Sequence, residues 1–452
     1  MNVHLPTLIL NILSPFSQLF SSPTWKKAQL LCVGAILCQG ARRISSILHI
    51  MGMAHNKGFG KYHRFLNRDE WSPLMGAKIL FGLLVSLIPT NQTLFIVFDD
   101  TVERRKGRTI KAKGCYRDAV RSTQSHVVTC YGLKWMSLCL LVKLPWNTRP
   151  WALPFLTFLQ YPKKYDENMN RPHRTSMDYA ILAARFLRRW LPKRRWVMIG
   201  DGAFACVELM NACRKSGGHL ISRLRIDVRL YSEPPEDFQG KRGRKATKGK
   251  RIETFKSMLN NKELLWQEST VTWYGGIVKK IQYLSGIDLI YKPNHTVAKV
   301  RWVLVKDPDG KMQTVPLVSS NPLHTPEFII EAFVMRFSIE ILFEEARAHL
   351  GMETQRQWSD KAIIRSTPLI FALFSLICLI ALKLRETVDL SVSASAWYAK
   401  NPHEATFSDI IAYVRRFCWA NRYLVNSTLE TDMIKFKRQD LSFLIDRIAA
   451  SP

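Results

Sequence analysis

The chain has 452 residues and carries 66 Lys and Arg against 36 Asp and Glu, a formal net charge of +30. An excess of this size is typical of a protein that binds a polyanion, and it favours nucleic acid over an anionic membrane surface. The nine cysteines include no Cys-x-x-Cys pair. This spacing disfavours a zinc site or a disulfide framework and favours free thiols in a reducing compartment.

Residues 1–90 are predicted to form a helical N-terminal domain that binds DNA. Two helices, over 24–37 and 41–51, are separated by a short break. This helix-turn-helix-like pattern places Arg42 and Arg43 at the start of the second helix, where a recognition helix contacts DNA. A plain helical bundle with solvated arginines has the same pattern, so both interpretations stay open.

The hydrophobic period changes from helix to strand near residue 93. A continuous β run over 93–98 ends in Asp99-Asp100. Two more strands, 125–132 and 135–144, are predicted to be joined by a tight turn at Gly132. These hairpin-like strands open the first part of a core domain.

The remainder of this first part, which spans 91–224, alternates helices and strands. A helix over 176–191 precedes a buried strand over 195–200, which ends at Asp201. A further helix and strand complete the order β-β-β-α-β-α-β. This order predicts an α/β fold in which helices cover the faces of a mixed sheet.

Residues 225–322 are predicted to be a β-rich insertion with a basic, glycine-containing loop. We expect this loop either to contact DNA phosphates or to be solvated and mobile. Its cations are Lys241, Arg242, Arg244, Lys245, Lys248, Lys250 and Arg251. Pieces rich in aromatic and β-branched residues follow the loop, as strands do.

The helical pattern resumes in residues 323–390, the second part of the core. Arg336, Glu340 and Arg347 lie at relative positions 0, 4 and 11, so two guanidinium groups flank one carboxylate on a single helix face. One interpretation is a surface salt-bridge ladder, worth only tenths of a kcal/mol per pair. The other is a metal ligand beside two phosphate clamps.

Residues 368–382 form an apolar stretch that is shorter than the roughly 20 residues of a membrane-spanning helix. We expect this stretch to be a buried core helix. The N-terminus lacks the basic start and the small-residue cleavage site of a signal peptide. The sequence therefore predicts a soluble, cytoplasmic protein without membrane contact, and residues 391–452 are predicted to be a helical, basic tail.

Three carboxylates occupy positions typical of a catalytic site. Asp100, or its neighbour Asp99, ends the first strand, Asp201 follows a later strand, and Glu340 lies on the late helix. Ligands of α/β folds bind beyond strand ends. Taken singly, Asp201 could be a helix N-cap and Asp99 could start a turn. Taken together, in this element order and with this net charge, the acids favour a site.

These features resemble the DDE transposases of bacterial insertion sequences. The late helix is similar to the Tyr-x2-Arg-x3-Glu-x6-Lys signature of the group with a β-rich insertion before the final glutamate. Phe333 stands at the tyrosine position, Arg347 at the lysine position, and Phe337 where tryptophan is expected. The other similar segments are 117–122, 146–154, 301–306 and 347–360.

The resemblance implies an RNase H-like mixed-sheet core that the insertion interrupts. It implies that Asp100, Asp201 and Glu340, with Asp99 as the alternative to Asp100, hold two Mg²⁺ ions, for which Mn²⁺ can substitute. Such ions activate a nucleophile and stabilise a leaving oxygen in phosphodiester cleavage. Arg336 and Arg347 would hold phosphate beside the metal site.

The implied activity is cleavage and strand transfer at terminal inverted repeats, by a cut-and-paste route through a hairpin intermediate. The implied partners are double-stranded DNA at the element ends and target site, and a second copy of the chain in a homodimeric synaptic complex. Trp273 and Tyr274 are candidates to stack a flipped base, although a core role is equally compatible. The alternative function is a catalytically inactive DNA-binding regulator derived from a transposase.

Overall fold

The computed structural model describes residues 5–118, 121–123, 125–235, 246–293, 297–310, 313–390 and 404–423, together with Arg438 and Leu441. One mixed sheet organises this part of the chain. Its strands are β1 (Leu94–Arg104), β2 (Gly114–Arg117), β3 (Thr129–Lys143), β4 (Pro150–Gln160), β5 (Trp196–Ile199), β6 (His219–Arg223), β7 (Leu230–Tyr231), β8 (Gln267–Thr272), β9 (Val278–Ile290), β10 (Ala298–Lys306) and β11 (Val315–Ser319).

Helices lie at the N-terminus, on both faces of the sheet and after it. They are α1 (Thr7–Leu13), α2 (Ser22–Leu37), α3 (Ile44–Ile50), α4 (Gly60–Asn67), α5 (Pro73–Val85), α6 (Lys163–Asn168), α7 (Ser176–Trp190), α8 (Val207–Lys215), α9 (Phe255–Asn260), α10 (Pro326–Val334), α11 (Ser338–His349), α12 (Asp360–Leu384) and α13 (Phe407–Tyr423). The predicted second helix of the N-terminal pair is shorter than expected, because the backbone of Arg43 is extended and α3 begins at Ile44.

The strand order is β2-β3-β1-β5-β6-β11-β10-β9-β7, with β4 also pairing with β3 and β8 with β9. Strands β4, β3 and β1 are antiparallel neighbours, whereas β5 and β6 run parallel to β1. All four residues of β5 are buried, as expected for a strand covered on both faces. The arrangement is a mixed α/β fold consistent with an RNase H-like core.

The predicted turn at Gly132 is wrong, because β3 is one continuous strand in which Gly132 pairs with Arg104 of β1. A Cβ atom at this glycine would lie 2.4 Å from the carbonyl oxygen of Glu103. Glycine is therefore required here because the backbones of β1 and β3 approach closely, and not because the chain turns. Strand β4 has no counterpart among the predicted strands.

The region predicted to be an insertion continues the same sheet. Strand β11 pairs with β6, and β10 and β9 follow outward in antiparallel register. The hydrogen-bonded sheet thus runs without a break from the core strands into residues 225–322.

Helix α12 is 25 residues long and, by length and composition alone, could cross a membrane. Within the protein, however, 67% of its most apolar window is buried, and the helix packs across β4. This packing agrees with the core helix that the sequence predicts for 368–382. The N-terminal helices share the same continuous apolar core as the sheet.

Candidate active site

Asp99 and Asp100 lie within β1 and not at its end, since the strand continues to Arg104. Successive side chains of a strand point to opposite faces of the sheet. The two neighbouring aspartates therefore face different layers of the molecule, and each has its own set of partners.

Asp99 faces the layer that contains α11. Arg336, in the helical turn just before α11, donates one N–H to Asp99 Oδ2 at 2.9 Å and another to Glu340 Oε1 at 2.5 Å. A single guanidinium group thus joins the acid of the first strand to the acid of the late helix, although the two acids are 241 positions apart in the sequence. Asp99 and Arg336 are both about one-fifth exposed.

The surroundings of Asp99 disfavour its charge despite this ion pair. Burial raises its pKa from the ordinary value of 3.8 to about 7; Arg336 opposes the rise, and the nearby negative charge of Asp201 adds to it. Burial also raises the pKa of Asp201. The two carboxylates are therefore in an environment that would favour an additional cation.

Asp201 lies just beyond β5, where Val97 of β1 pairs with Ile199 of β5. Because the two strands are parallel, Asp99 and Asp201, each two residues after this pair, lie side by side. Asp201 Oδ1 accepts a hydrogen bond from the N–H of Ala203, so this residue is also the N-cap of a short 3-10 turn. Gly200 precedes it because a Cβ there would lie 2.6 Å from the ring of Phe98.

Asp100 faces the opposite layer, which contains α7. Lys134 of β3 forms an ion pair with Asp100 at 2.8 Å, and Ser176, the first residue of α7, donates its hydroxyl hydrogen to Asp100 at 2.8 Å. The charge of Asp100 also contributes to the raised pKa of Asp201. The charge of Asp201 is thus coupled to both aspartates, whereas Arg336 contacts Asp99 and Glu340 but not Asp100.

The sequence matches the family described as DDE superfamily endonuclease over residues 15–280, more than half of the chain. The chain belongs to this family. The match includes Asp99, Asp100 and Asp201, whereas Glu340 lies beyond its end. No curated protein matches the chain significantly.

Endonucleases of this family generally depend on divalent metal ions. In the described part of this endonuclease, no three Asp, Glu, His or Cys side chains are gathered closely enough to hold a metal ion. The donor set nevertheless fits Mg²⁺ in chemistry, because Asp99, Asp201 and Glu340 offer hard oxygen ligands. Arg336 supplies the positive charge between two of them, and the raised pKa values of Asp99 and Asp201 indicate that this charge only partly compensates the acids.

Arg347, predicted to be a phosphate clamp, is hydrogen-bonded within the protein. Its guanidinium group donates to Thr101 Oγ1 at 2.6 Å, to Glu353 Oε1 at 3.2 Å and to the carbonyl oxygen of Phe343 at 3.2 Å. Because Thr101 follows Asp99 on the same face of β1, these bonds attach α11 to the strand that carries the acids. In this structure the role of Arg347 is to position the two elements.

The aromatic candidates lie next to the same helix. The rings of Trp273 and Tyr274 pack edge to face at 5.3 Å, and Tyr274 packs in the same way against Phe337 at 5.8 Å. Tyr274 and Phe337 are 37% and 46% exposed, and Phe337 directly follows Arg336. A partly exposed aromatic surface therefore borders the acidic site.

The remaining predicted DNA contacts differ in accessibility. Arg42 is 8% exposed and donates to the carbonyl oxygens of Ala35 and Gly40, so it caps the end of α2. Arg43 is half-buried. This geometry does not support a phosphate contact by Arg42.

In the basic loop, Lys248 lies over the rings of Tyr231 and Tyr291, at 3.9 and 4.0 Å from their centroids. Lys250 and Arg251 are exposed. Four predicted contacts fall outside the described residues: Lys241, Arg242, Arg244 and Lys245.

Sequence reasoning missed the partners that distinguish the two aspartates. Lys134 and Ser176 are 34 and 76 positions from Asp100, and no local pattern connects them. One signal was available: the apolar run of β1 continues past the acids through Thr101 and Val102, both favourable in strands. A strand extended in this way places Asp99 and Asp100 on opposite faces.

Proposed function

We propose that this endonuclease is a transposase that cuts and joins DNA at the ends of an insertion sequence. Its acidic site would consist of Asp99, Asp201 and Glu340, with Asp100 on the opposite face of β1. The observation that carries the proposal is the guanidinium group of Arg336, which joins Asp99 and Glu340 beside the strand end where Asp201 lies.

Phosphodiester cleavage needs a charged site that positions the scissile phosphate, the nucleophile and the leaving oxygen. Two Mg²⁺ ions held by Asp99, Asp201 and Glu340 would supply Lewis acidity to both oxygens. Arg336 offers a planar fork whose geometry suits a phosphate oxygen pair. Arg347, through Thr101 and Glu353, keeps α11 at a fixed position against β1.

The choice of Asp99 over Asp100 rests on the partners of each side chain. The resemblance favours Asp100, which directly precedes a threonine, but Asp100 is neutralised by Lys134 on the face away from Glu340. Asp99 shares a cation with Glu340. We therefore assign the first metal-binding position to Asp99.

Finer steps of the proposed reaction follow from the same site. Joining two DNA ends requires two active sites, so the working complex would be a homodimer on paired terminal repeats. The exposed rings of Tyr274 and Phe337 suit stacking of an unpaired base, as a hairpin route would require. Tyr274 is also one of the two residues that the sequence analysis proposes for stacking a flipped base.

The experiment is cleavage of a plasmid that carries the DNA flanking the coding sequence on both sides, with Mg²⁺ or Mn²⁺. We expect Asp201→Asn and Glu340→Gln to lower the cleavage rate at least a hundredfold, about the size of losing one charge-stabilising group. The matched control is Glu344→Gln, an exposed acid one turn further along α11, which should cut like the wild type.

DNA binding by the same variants separates the proposal from the regulator alternative. A transposase with a functional acidic site predicts that Asp201→Asn and Glu340→Gln still bind the flanking DNA but do not cut it. Binding by the wild type without cleavage under either metal would support an inactive regulator instead. Equal cleavage by all the proteins would disprove the assigned acids.

A further inference from the structure

A basic groove lies between α7 and α8, away from the acidic site. Its volume is about 740 Å³, and four of the residues that line it are cationic: Arg185, Arg188, Arg189 and Lys215. All four side chains are exposed. The lining includes one acid, Glu208, which forms an ion pair with Lys292.

The spacing of the arginines explains why one side of the groove is so strongly positive. Arg188 and Arg189 lie three and four positions after Arg185 on α7, so the three side chains project from one helix face. Arg188 donates to the carbonyl oxygen of Lys215, the last residue of α8, at 2.7 Å. This bond fixes the two walls relative to each other and brings Lys215 to the same opening.

Helix α7 runs from Asp100, on the face of β1 opposite the acidic site, to this groove. Its first residue, Ser176, is hydrogen-bonded to Asp100, which adjoins Asp99 in β1. Arg185 and Arg189 lie 9 and 13 residues further along, which at 1.5 Å per residue corresponds to about 14 and 20 Å. A length of about 14 to 20 Å along α7 equals roughly four to six base pairs of a duplex with 3.4 Å between pairs.

We propose that the α7–α8 groove binds the phosphate backbone of the DNA duplex outside the acidic site, at a distance from the scissile phosphate. The inference rests on the proposed function for the position of the scissile phosphate. Charge complementarity identifies the partner: a clustered set of exposed cations on a chain of net charge +30 matches the regular phosphates of a duplex. Binding there would fix the direction in which the DNA leaves the acidic site.

The test variant is the triple substitution Arg185→Gln/Arg189→Gln/Lys215→Gln, which leaves Arg188 in place because it joins the two helices. The matched control is Lys143→Gln/Lys256→Gln/Lys262→Gln, which removes the same charge from exposed positions elsewhere. Binding is measured by fluorescence anisotropy over a range of salt concentrations. The probes are two duplexes that contain the same flanking DNA, one of about six and one of about 20 base pairs.

For the long duplex, loss of three phosphate contacts should lower the slope of log Kd against log salt by about 2.7. The short duplex, which cannot occupy both places, should show a smaller change in slope. The control triple variant should keep the wild-type difference between the two duplexes. Equal slopes for the groove variant and the control, or equal changes on both duplexes, would overturn the proposal.

Cleavage distinguishes failure of the groove from failure of the proposed function. If the wild type cuts flanking DNA and the groove variant binds like the control, the groove proposal fails and the transposase proposal stands. If the groove variant loses slope on long DNA but the wild type never cuts, the groove stands as a DNA contact and the transposase proposal fails. If the wild type binds neither duplex, both are overturned.

Discussion

The two faces of β1 present neighbouring aspartates to different surroundings. On one face, Asp99 is largely buried and shares Arg336 with Glu340. On the other face, Asp100 is bonded to Lys134 and to Ser176 at the start of α7. Two identical residues, adjacent in sequence, are therefore not interchangeable candidates once a strand places them in separate layers.

The electrostatic difference between the faces is as informative as the contacts. Burial raises the pKa of Asp99 to about 7 even though a guanidinium group is next to it. A carboxylate in that state gains more from an additional cation than one that is more exposed, and the side chain of Asp100 is more exposed than that of Asp99. Electrostatics therefore favours metal binding on the Asp99 face. On the other face, Asp100 holds the start of α7 through its hydrogen bond with Ser176.

A large effect on the Asp99 face is predicted for Arg336→Gln. The substitution removes the positive charge between Asp99 and Glu340 and the fork available to phosphate, so we expect the cleavage rate to fall about a hundredfold. Arg336→Lys should restore part of the loss, since it keeps the charge but not the fork. The measurement is single-turnover cleavage of flanking DNA, and an unchanged rate for Arg336→Gln would remove Arg336 from the site.

A smaller effect is predicted for Arg347→Gln, on stability more than on chemistry. This change breaks the bonds that attach α11 to Thr101 and Glu353. Hydrogen bonds to charged groups contribute about 1.5–3 kcal/mol each, so we expect the free energy of unfolding in urea to fall by about 2 kcal/mol. Arg356→Gln, an exposed arginine nearby, is the control and should change it by less than about 0.5 kcal/mol. Equal free energies of unfolding for the two variants would show that the hydrogen bonds of Arg347 do not stabilise the protein.

A third effect is a pH dependence of stability in metal-free protein. Because the pKa of Asp99 is about 7 in the folded state and about 3.8 when it is unfolded, the folded state binds more protons between those values. The free energy of unfolding should therefore fall as pH rises from about 4 to 7, by at most about 1.4 kcal/mol per pH unit from this group.

Asp99→Asn should remove that part of the pH dependence. Thermal unfolding in EDTA at several pH values within this window measures it, with Asp100→Asn as the matched control. We expect a flatter profile of stability against pH for Asp99→Asn alone. Parallel profiles for the wild type and Asp99→Asn would show that the charge of Asp99 is not disfavoured in the folded protein.

Local sequence patterns predicted much of the fold but not the pairing of its parts. The apolar runs gave β1, β5 and the buried helix α12, because burial on both faces leaves a continuous apolar signal. Gly132 was misleading because the same residue type serves tight turns and close backbone contact. Only the partner strand distinguishes these two uses, and the partner is remote in sequence.

The candidate site shows the same limit. Helical spacing placed Arg336 and Glu340 on one face, and the structure shows them in contact. Helical spacing could not show that a second N–H of Arg336 is hydrogen-bonded to Asp99. It also could not show that Arg347 is hydrogen-bonded to Thr101 and Glu353. Those contacts depend on where α11 lies across β1, and packing between distant elements decides that position.

The most direct test of the central claim compares Asp99→Asn with Asp100→Asn in Mg²⁺-dependent cleavage of flanking DNA. We expect Asp99→Asn to lower the rate at least about a thousandfold while DNA binding is retained, and Asp100→Asn to stay within about tenfold of the wild type. The reverse result, an inactive Asp100→Asn and an active Asp99→Asn, would contradict the assignment of the metal-binding face of β1.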